Sequence, residues 1–347
     1  MQPPVRRLGW ARQGREAKIR VVFHIGSAKT GTTAIQQFFH RNRRALLEQG
    51  LLYPKMLDGK KHHKLLSVPF DETVQRGTPF GADYPAAVEN ARAAWAGVRR
   101  QIANKRPDTV LISSEFLLMA THVERIADFV APYVGSDAAL EFLVYLRPPS
   151  DWYVSAMQQW FKASANLLPL DPPPVLAQLD RFAALGKVTA RRFDRTGFRD
   201  GSVISDICDL LGVDGAPLDH AAEDANVSIS AEGIILLQAY RRQHHAAAEA
   251  VFTPDTREYI EKIAAEEAAH PGLYTKPRLK PDLARALDRE TPDLRALRLR
   301  YGVALASGRS LPFGLGARAG RIGPFTEAAE VIVHDLALVD RLRRAVG

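Results

Sequence analysis

The residues most able to do chemistry lie between Gly26 and Thr33, in the order Gly26-Ser27-Ala28-Lys29-Thr30-Gly31-Thr32-Thr33. They follow a short β-branched and aromatic run, Arg20–Ile25, and precede a stretch with apolar residues at helical spacing, Ile35, Phe38, Phe39, Leu46 and Leu47. That order predicts a strand, a glycine turn and a helix over Thr32–Gln49. The amides at a helix start have no partners within the helix, and with the helix dipole they favour an anion. Gly26 and Gly31 permit close backbone approach, Thr32 and Thr33 add hydroxyls, and Lys29 adds a mobile positive charge. The glycine spacing matches the nucleoside-triphosphate loop Gly-x-x-x-x-Gly-Lys-Ser/Thr, but Thr32 stands where that pattern has lysine, and the lysine lies three residues earlier.

The segment VVFHIGSAKTGTTAIQ resembles the 5'-phosphosulfate loop of sulfotransferases that use 3'-phosphoadenosine 5'-phosphosulfate (PAPS), where Lys-x-Gly-Thr-Thr is a usual form. The resemblance implies that Lys29 contacts the 5'-phosphate and the oxygen bridging to sulfur. It also implies that the stretch Lys29, Thr30, Gly31, Thr32 and Thr33 holds the 5'-phosphate through amides and hydroxyls.

A second segment, Tyr145-Leu146-Arg147-Pro148-Pro149-Ser150-Asp151-Trp152-Tyr153-Val154-Ser155, resembles the 3'-phosphate stretch of the same family. There an arginine ends a strand and a serine follows on the next helix, which maps to Arg147 and Ser155. Arginine forms paired, charge-assisted bonds to phosphate, and the prolines fix the backbone as it leaves the sheet. Ser150 and Asp151 are expected to cap a helix running to about Lys162. Weaker likenesses lie at Asn226–Ser230 and over Arg191–Gly212. A loop at Gly308-Arg309 or at Arg318–Arg321 is a candidate to close on the nucleotide, so the resemblance covers about residues 20–230 with two specific motifs.

Sulfuryl transfer needs a base for the acceptor proton. Glu115 is the first candidate, just past a strand over Thr109–Ser113, where functional groups gather in open α/β sheets. The alternative for Glu115 is a helix cap shared with Ser113 or Ser114, which could otherwise donate to donor or acceptor oxygens. His62 and His63, in a polar loop, form the second candidate pair, His63 being the one carried into the site. No metal is expected, because lysine, arginine and amides can balance the charge. The competing readings are a P-loop small-molecule kinase using ATP and magnesium, and a non-catalytic nucleotide- or nucleic-acid-binding module.

The elements that must position these groups alternate. Strands are expected at Arg20–Ile25, Thr109–Ser113, Leu140–Leu146 and Val188–Phe193, with helices over Thr32–Gln49, Ala86–Lys105, His122–Val134 and Val203–Leu211. This predicts an α/β fold: a P-loop-like parallel sheet flanked by helices on both faces, with a mainly helical part over residues 231–347 after an α/β core over 20–230. The chain has 347 residues, 46% apolar and 25% charged, which is ordinary globular usage.

Residues 1–19 are expected to form a disordered basic tail, since the first twenty carry six Lys and Arg against Glu16. The whole chain is only +8, so the body is weakly basic and a nucleic-acid partner is not expected. The start has no apolar core for a secretory signal, and no apolar run is long enough to span a bilayer. Cys208 is the only cysteine, so no disulfide forms within the chain, and a cytoplasmic setting is expected. The resemblance implies as partners the nucleotide donor PAPS and an acceptor bearing a hydroxyl or amine.

Overall fold

The computed structural model of the chain describes residues 18–56, 59–73, 83–170, 174–220, 229–248, 251–291, 293–305 and 325–347. Five strands, β1 (Arg20–Gly26), β2 (Leu51–Leu52), β3 (Thr109–Ser113), β4 (Ala139–Leu146) and β5 (Lys187–Arg192), form one sheet in the order β2-β3-β1-β4-β5. Every pairing is parallel. The chain leaves β1 outward to β2, returns to β3, then crosses to β4 on the other side of β1. The order therefore reverses at β1, and the carboxyl ends of β3, β1 and β4 frame the crevice where ligands bind in such sheets.

Helices cover both faces, as a parallel sheet requires. Side chains alternate along β1. Val22 shares a buried cluster with α1 (Thr32–Arg41), α2 (Arg43–Glu48) and α8 (Val203–Leu211). Val21, Phe23 and Ile25 pack instead with α4 (Tyr84–Lys105), α5 (Ile126–Val134), α7 (Val175–Ala183) and α12 (Leu294–Tyr301). A short helix, α3 (Lys64–Ser67), lies between β2 and α4.

The remaining helices are α6 (Pro149–Trp160), α9 (Ala231–His245), α10 (Pro254–Ala269), α11 (Pro281–Glu290), α13 (Ala328–Val331) and α14 (Leu336–Val346). They form the helical part, joined through α6, whose Tyr153, Val154 and Met157, with Phe161 just past its end, are buried against Ile229, Leu237, Ile263 and Leu342. Among the described residues, no helix is long and apolar enough to cross a membrane.

Three local expectations need correction. The stretch Thr32–Gln49 is two helices, because Asn42 breaks it: its Nδ2 donates to Phe38 O and Asp219 O at 3.0 Å each, and its Oδ1 accepts from Asp219 N at 3.0 Å. Ser150 and Asp151 do not cap α6, which starts at Pro149 after Pro148. Ser150 lies in the first turn, and its N–H and hydroxyl donate to the buried Asp288 carboxylate of α11, at 2.9 Å each. The strand β2 was not foreseen. The tail up to residue 17, the likeness at Asn226–Ser228, Gly308-Arg309 and Arg318–Arg321 lie outside the described residues.

Candidate functional site

The loop between β1 and α1 is stitched to the end of β4. Ser27 N and Ser27 Oγ both donate to Tyr145 O, at 2.9 Å each, two residues before Arg147. Gly26 and Gly31 lie at φ 117° and 77°, where glycine is favoured. A side chain at Gly31 would also meet Val203 at 3.1 Å and the Phe193 ring at 3.2 Å. Lys29 itself adopts φ 69°, a conformation uncommon outside glycine and enriched at ligand-gripping sites. No side chain caps α1 and its first turn carries no acidic residue, so its opening amides remain available to an anion.

Phe193 links the two expected anion sites. One edge of its ring lies against Gly31, and Arg147 stacks over the same ring with its guanidinium carbon 4.5 Å from the centroid. The loop and the strand-end arginine therefore meet at one aromatic ring. Arg147 Nε is buried without a hydrogen-bond partner, which fits a guanidinium waiting for an oxyanion.

Burial lowers the pKa of Lys29, and Lys162 and Arg147 lower it further by repulsion. Burial likewise lowers Lys162. Arg147 is lowered by burial and by Arg195, while Asp151 acts the other way. Among the described residues, none of Lys29, Arg147 and Lys162 has a carboxylate within ion-pair distance, and Lys29 feels the charge of both of the others. Lys162, just beyond α6, was not singled out from the sequence. Neither was Phe193.

Other expected site residues divide. Thr30 and Thr32 turn their hydroxyls inward, donating to Ser27 O at 2.6 and 3.1 Å, so they brace the loop. Thr33 is exposed. Ser155 is half-buried on α6, and among the described residues no contact joins it to Arg147. Glu115 abuts the loop: a Cβ at Gly26 would lie 3.4 Å from its Cα and carbonyl oxygen. Glu115 does not cap a helix, and its Oε2 accepts from Gln36 Nε2 of α1 at 2.9 Å. Ser113 and Ser114 are buried and engaged, with His24 Nδ1 at 2.8 Å and Ser67 Oγ at 2.7 Å respectively, so neither is positioned to meet substrate.

His63 must be corrected as a candidate base. It is fully buried, its Nδ1 accepts from Ser113 N at 2.9 Å, and its Nε2 donates to Pro54 O at 3.1 Å. Both nitrogens are committed to backbone, so His63 is a brace between β3 and the loop after β2. Burial lowers its pKa to about 4, and does the same to His24 in β1.

Both imidazoles are thus neutral in the folded protein over a range where the unfolded chain is protonated. Stability is full above about pH 6.5 and falls as pH drops toward 4, by about 3 kcal/mol per pH unit for the two together. Urea unfolding at pH 7.5, 6, 5 and 4.5 measures this. In His63→Gln the slope should be roughly halved, and a pH-independent midpoint would contradict the assignment.

No family model and no curated protein matches the chain. One solved structure similar to it is described as the PezAT chromosomal toxin-antitoxin system of the human pathogen Streptococcus pneumoniae. It shares 11% identity over 72% of this chain and 87% of that chain at a TM-score of 0.30, a likeness too slight to carry an argument.

Proposed function

We propose that the protein is a sulfotransferase, moving a sulfuryl group from PAPS to a hydroxyl or amine of an acceptor. The observation that carries this reading is the Phe193 ring held between Gly31 and Arg147, with Lys29 feeling the charge of both Lys162 and Arg147. A donor with phosphates at both its 3' and 5' positions needs two cationic grips at one cavity. In this reading Arg147 takes the 3'-phosphate, and the α1 amides with Lys29 take the 5'-phosphosulfate.

The chemistry is an in-line displacement. The acceptor oxygen or nitrogen forms a bond to sulfur, the bond from sulfur to the bridging oxygen breaks, and 3'-phosphoadenosine 5'-phosphate (PAP) departs. Lys29 stabilises the negative charge growing on that oxygen. Glu115 receives the acceptor proton, with Gln36 orienting its carboxylate. We also place the enzyme in the cytoplasm, since a single cysteine leaves no disulfide within the chain to suit an oxidising compartment.

Thermal shift with PAP, PAPS and ATP-magnesium tests the reading, because a ligand of the folded state must raise the melting temperature. PAP at a hundred times its dissociation constant should stabilise by about 2.7 kcal/mol. Glu115→Gln should keep that response and lose about 10²-fold or more in turnover. Stabilisation by ATP-magnesium alone would retire the sulfotransferase in favour of a kinase, and full activity in Glu115→Gln would remove Glu115 as the base.

A further inference from the structure

A second recess lies at the far edge of the sheet, between α2, the end of β2 and α4. Its volume is about 680 Å³, within the usual range for small-molecule sites. None of Lys29, Glu115, Arg147, Lys162 and Phe193 lines it. Its apolar part is formed by Leu47, Leu52, Met56 and Ala94, and Tyr53 closes one wall. Arg43, Arg44, Lys55, Arg100 and Lys105 surround it, and no carboxylate is among the described lining residues.

Arg44 has Glu48 at 3.6 Å, an exposed pair of little value, and Arg43 meets the His40 ring at 3.0 Å, with no carboxylate within ion-pair distance among the described residues. Among the described residues, Lys55, Arg100 and Lys105 have no carboxylate within ion-pair distance. The recess therefore combines an oily floor with five cations, four of them without an acidic partner among the described residues.

Gly97 adds an independent observation. It stands inside the 22-residue helix α4 and lines the recess. Glycine in a helix interior costs about 1 kcal/mol relative to alanine. Packing does not require it here, since an added Cβ would meet only an Arg100 nitrogen, at 3.7 Å. Its bare Cα faces the recess, where a larger side chain would occupy space. The rim is also braced: Gln101 accepts from Lys55 N at 2.9 Å and donates to Lys55 O at 3.1 Å.

We propose that this recess binds a single-chain amphiphile with a phosphate or sulfate head. The chain lies on Leu47, Leu52, Met56 and Ala94, and the head is held by Arg43, Lys55 and Arg100. The occupant is a free molecule rather than a bilayer surface, because α2 and α4 wall the apolar floor from two sides.

Calorimetry with decyl phosphate below its micelle concentration tests this on the full chain. Saturable one-to-one binding is expected, at least tenfold tighter than for decanol or inorganic phosphate. Gly97→Leu fills the recess while raising helix propensity, and should weaken decyl phosphate at least tenfold with a cooperative melt retained. Arg100→Gln, at the exposed rim, should weaken decyl phosphate but not decanol.

Absence of saturable binding would overturn the proposal. So would equal affinity for decanol, affinity undiminished in Gly97→Leu, or sedimentation with phosphatidylglycerol vesicles that Gly97→Leu leaves intact. The experiment uses no nucleotide, so it stands or falls separately from the sulfotransferase reading.

Discussion

Lys29→Ala is expected to lower turnover with PAPS by about 10³-fold, the scale on which a single donor to a developing oxyanion acts. The free protein should melt no lower than the parent. The side chain is half-buried beside Lys162 and Arg147, both of which repel it, so its removal relieves a cost in the absence of ligand. Alanine at φ 69° is no worse placed than the lysine it replaces.

The lowered pKa adds a second signature. An anion in the pocket restores the proton that the neighbouring cations discourage, so PAP affinity falls as pH rises toward the pKa of free Lys29, below that of an ordinary lysine. Lys29→Ala should flatten that decline. Turnover within threefold of the parent, measured by transfer of labelled sulfuryl to a panel of acceptors, would remove Lys29 from the mechanism.

Arg147→Ala is expected to weaken PAP by about 10- to 100-fold, the equivalent of about 1.5–3 kcal/mol for hydrogen bonds to a charged group. Adenosine 5'-phosphosulfate, which lacks the 3'-phosphate, should lose no more than about twofold. The discrimination follows from position, because Arg147 sits across the Phe193 ring from Gly31 rather than within the loop. Equal losses for the two nucleotides would mean that Arg147 serves the loop in general and would dissolve the two-grip reading.

Much of the scaffold was legible because short-range signals agreed with tertiary structure. Thr109–Ser113 and Val203–Leu211 are found where their patterns predict them. For α8 the reasons are local: Ser202 caps its start, accepting from Ile204 N at 3.1 Å, and Gly212 ends it at φ 74°. The places where the reading fails are governed by partners distant in sequence. Asn42 divides a helix because it bonds to Asp219, and Ser150 loses its capping role to Asp288, 138 residues away. The two residues of β2 are too few to show a period.

Legibility at the site follows the same division. Lys29 and Arg147 sit in local motifs with their own chemistry. His63 looked like a loop base because neither its burial nor its bonds to Ser113 N and Pro54 O leave a trace in neighbouring residues. Lys162 carries no motif, and only the fold of α6 against the β1–α1 loop reveals it. Phe193 was marked only as the end of a strand, and its value lies in touching Gly31 and Arg147 at once.

The carboxylate of Asp288 makes the helical part more than an appendage. By gripping the first turn of α6 it sets how the chain departs from β4, and hence where Arg147 points. A shortened chain ending near residue 230 would keep all five strands, yet it would expose Tyr153, Met157 and Phe161 and release that turn. A displacement of α11 would thereby reach the turn that follows Arg147.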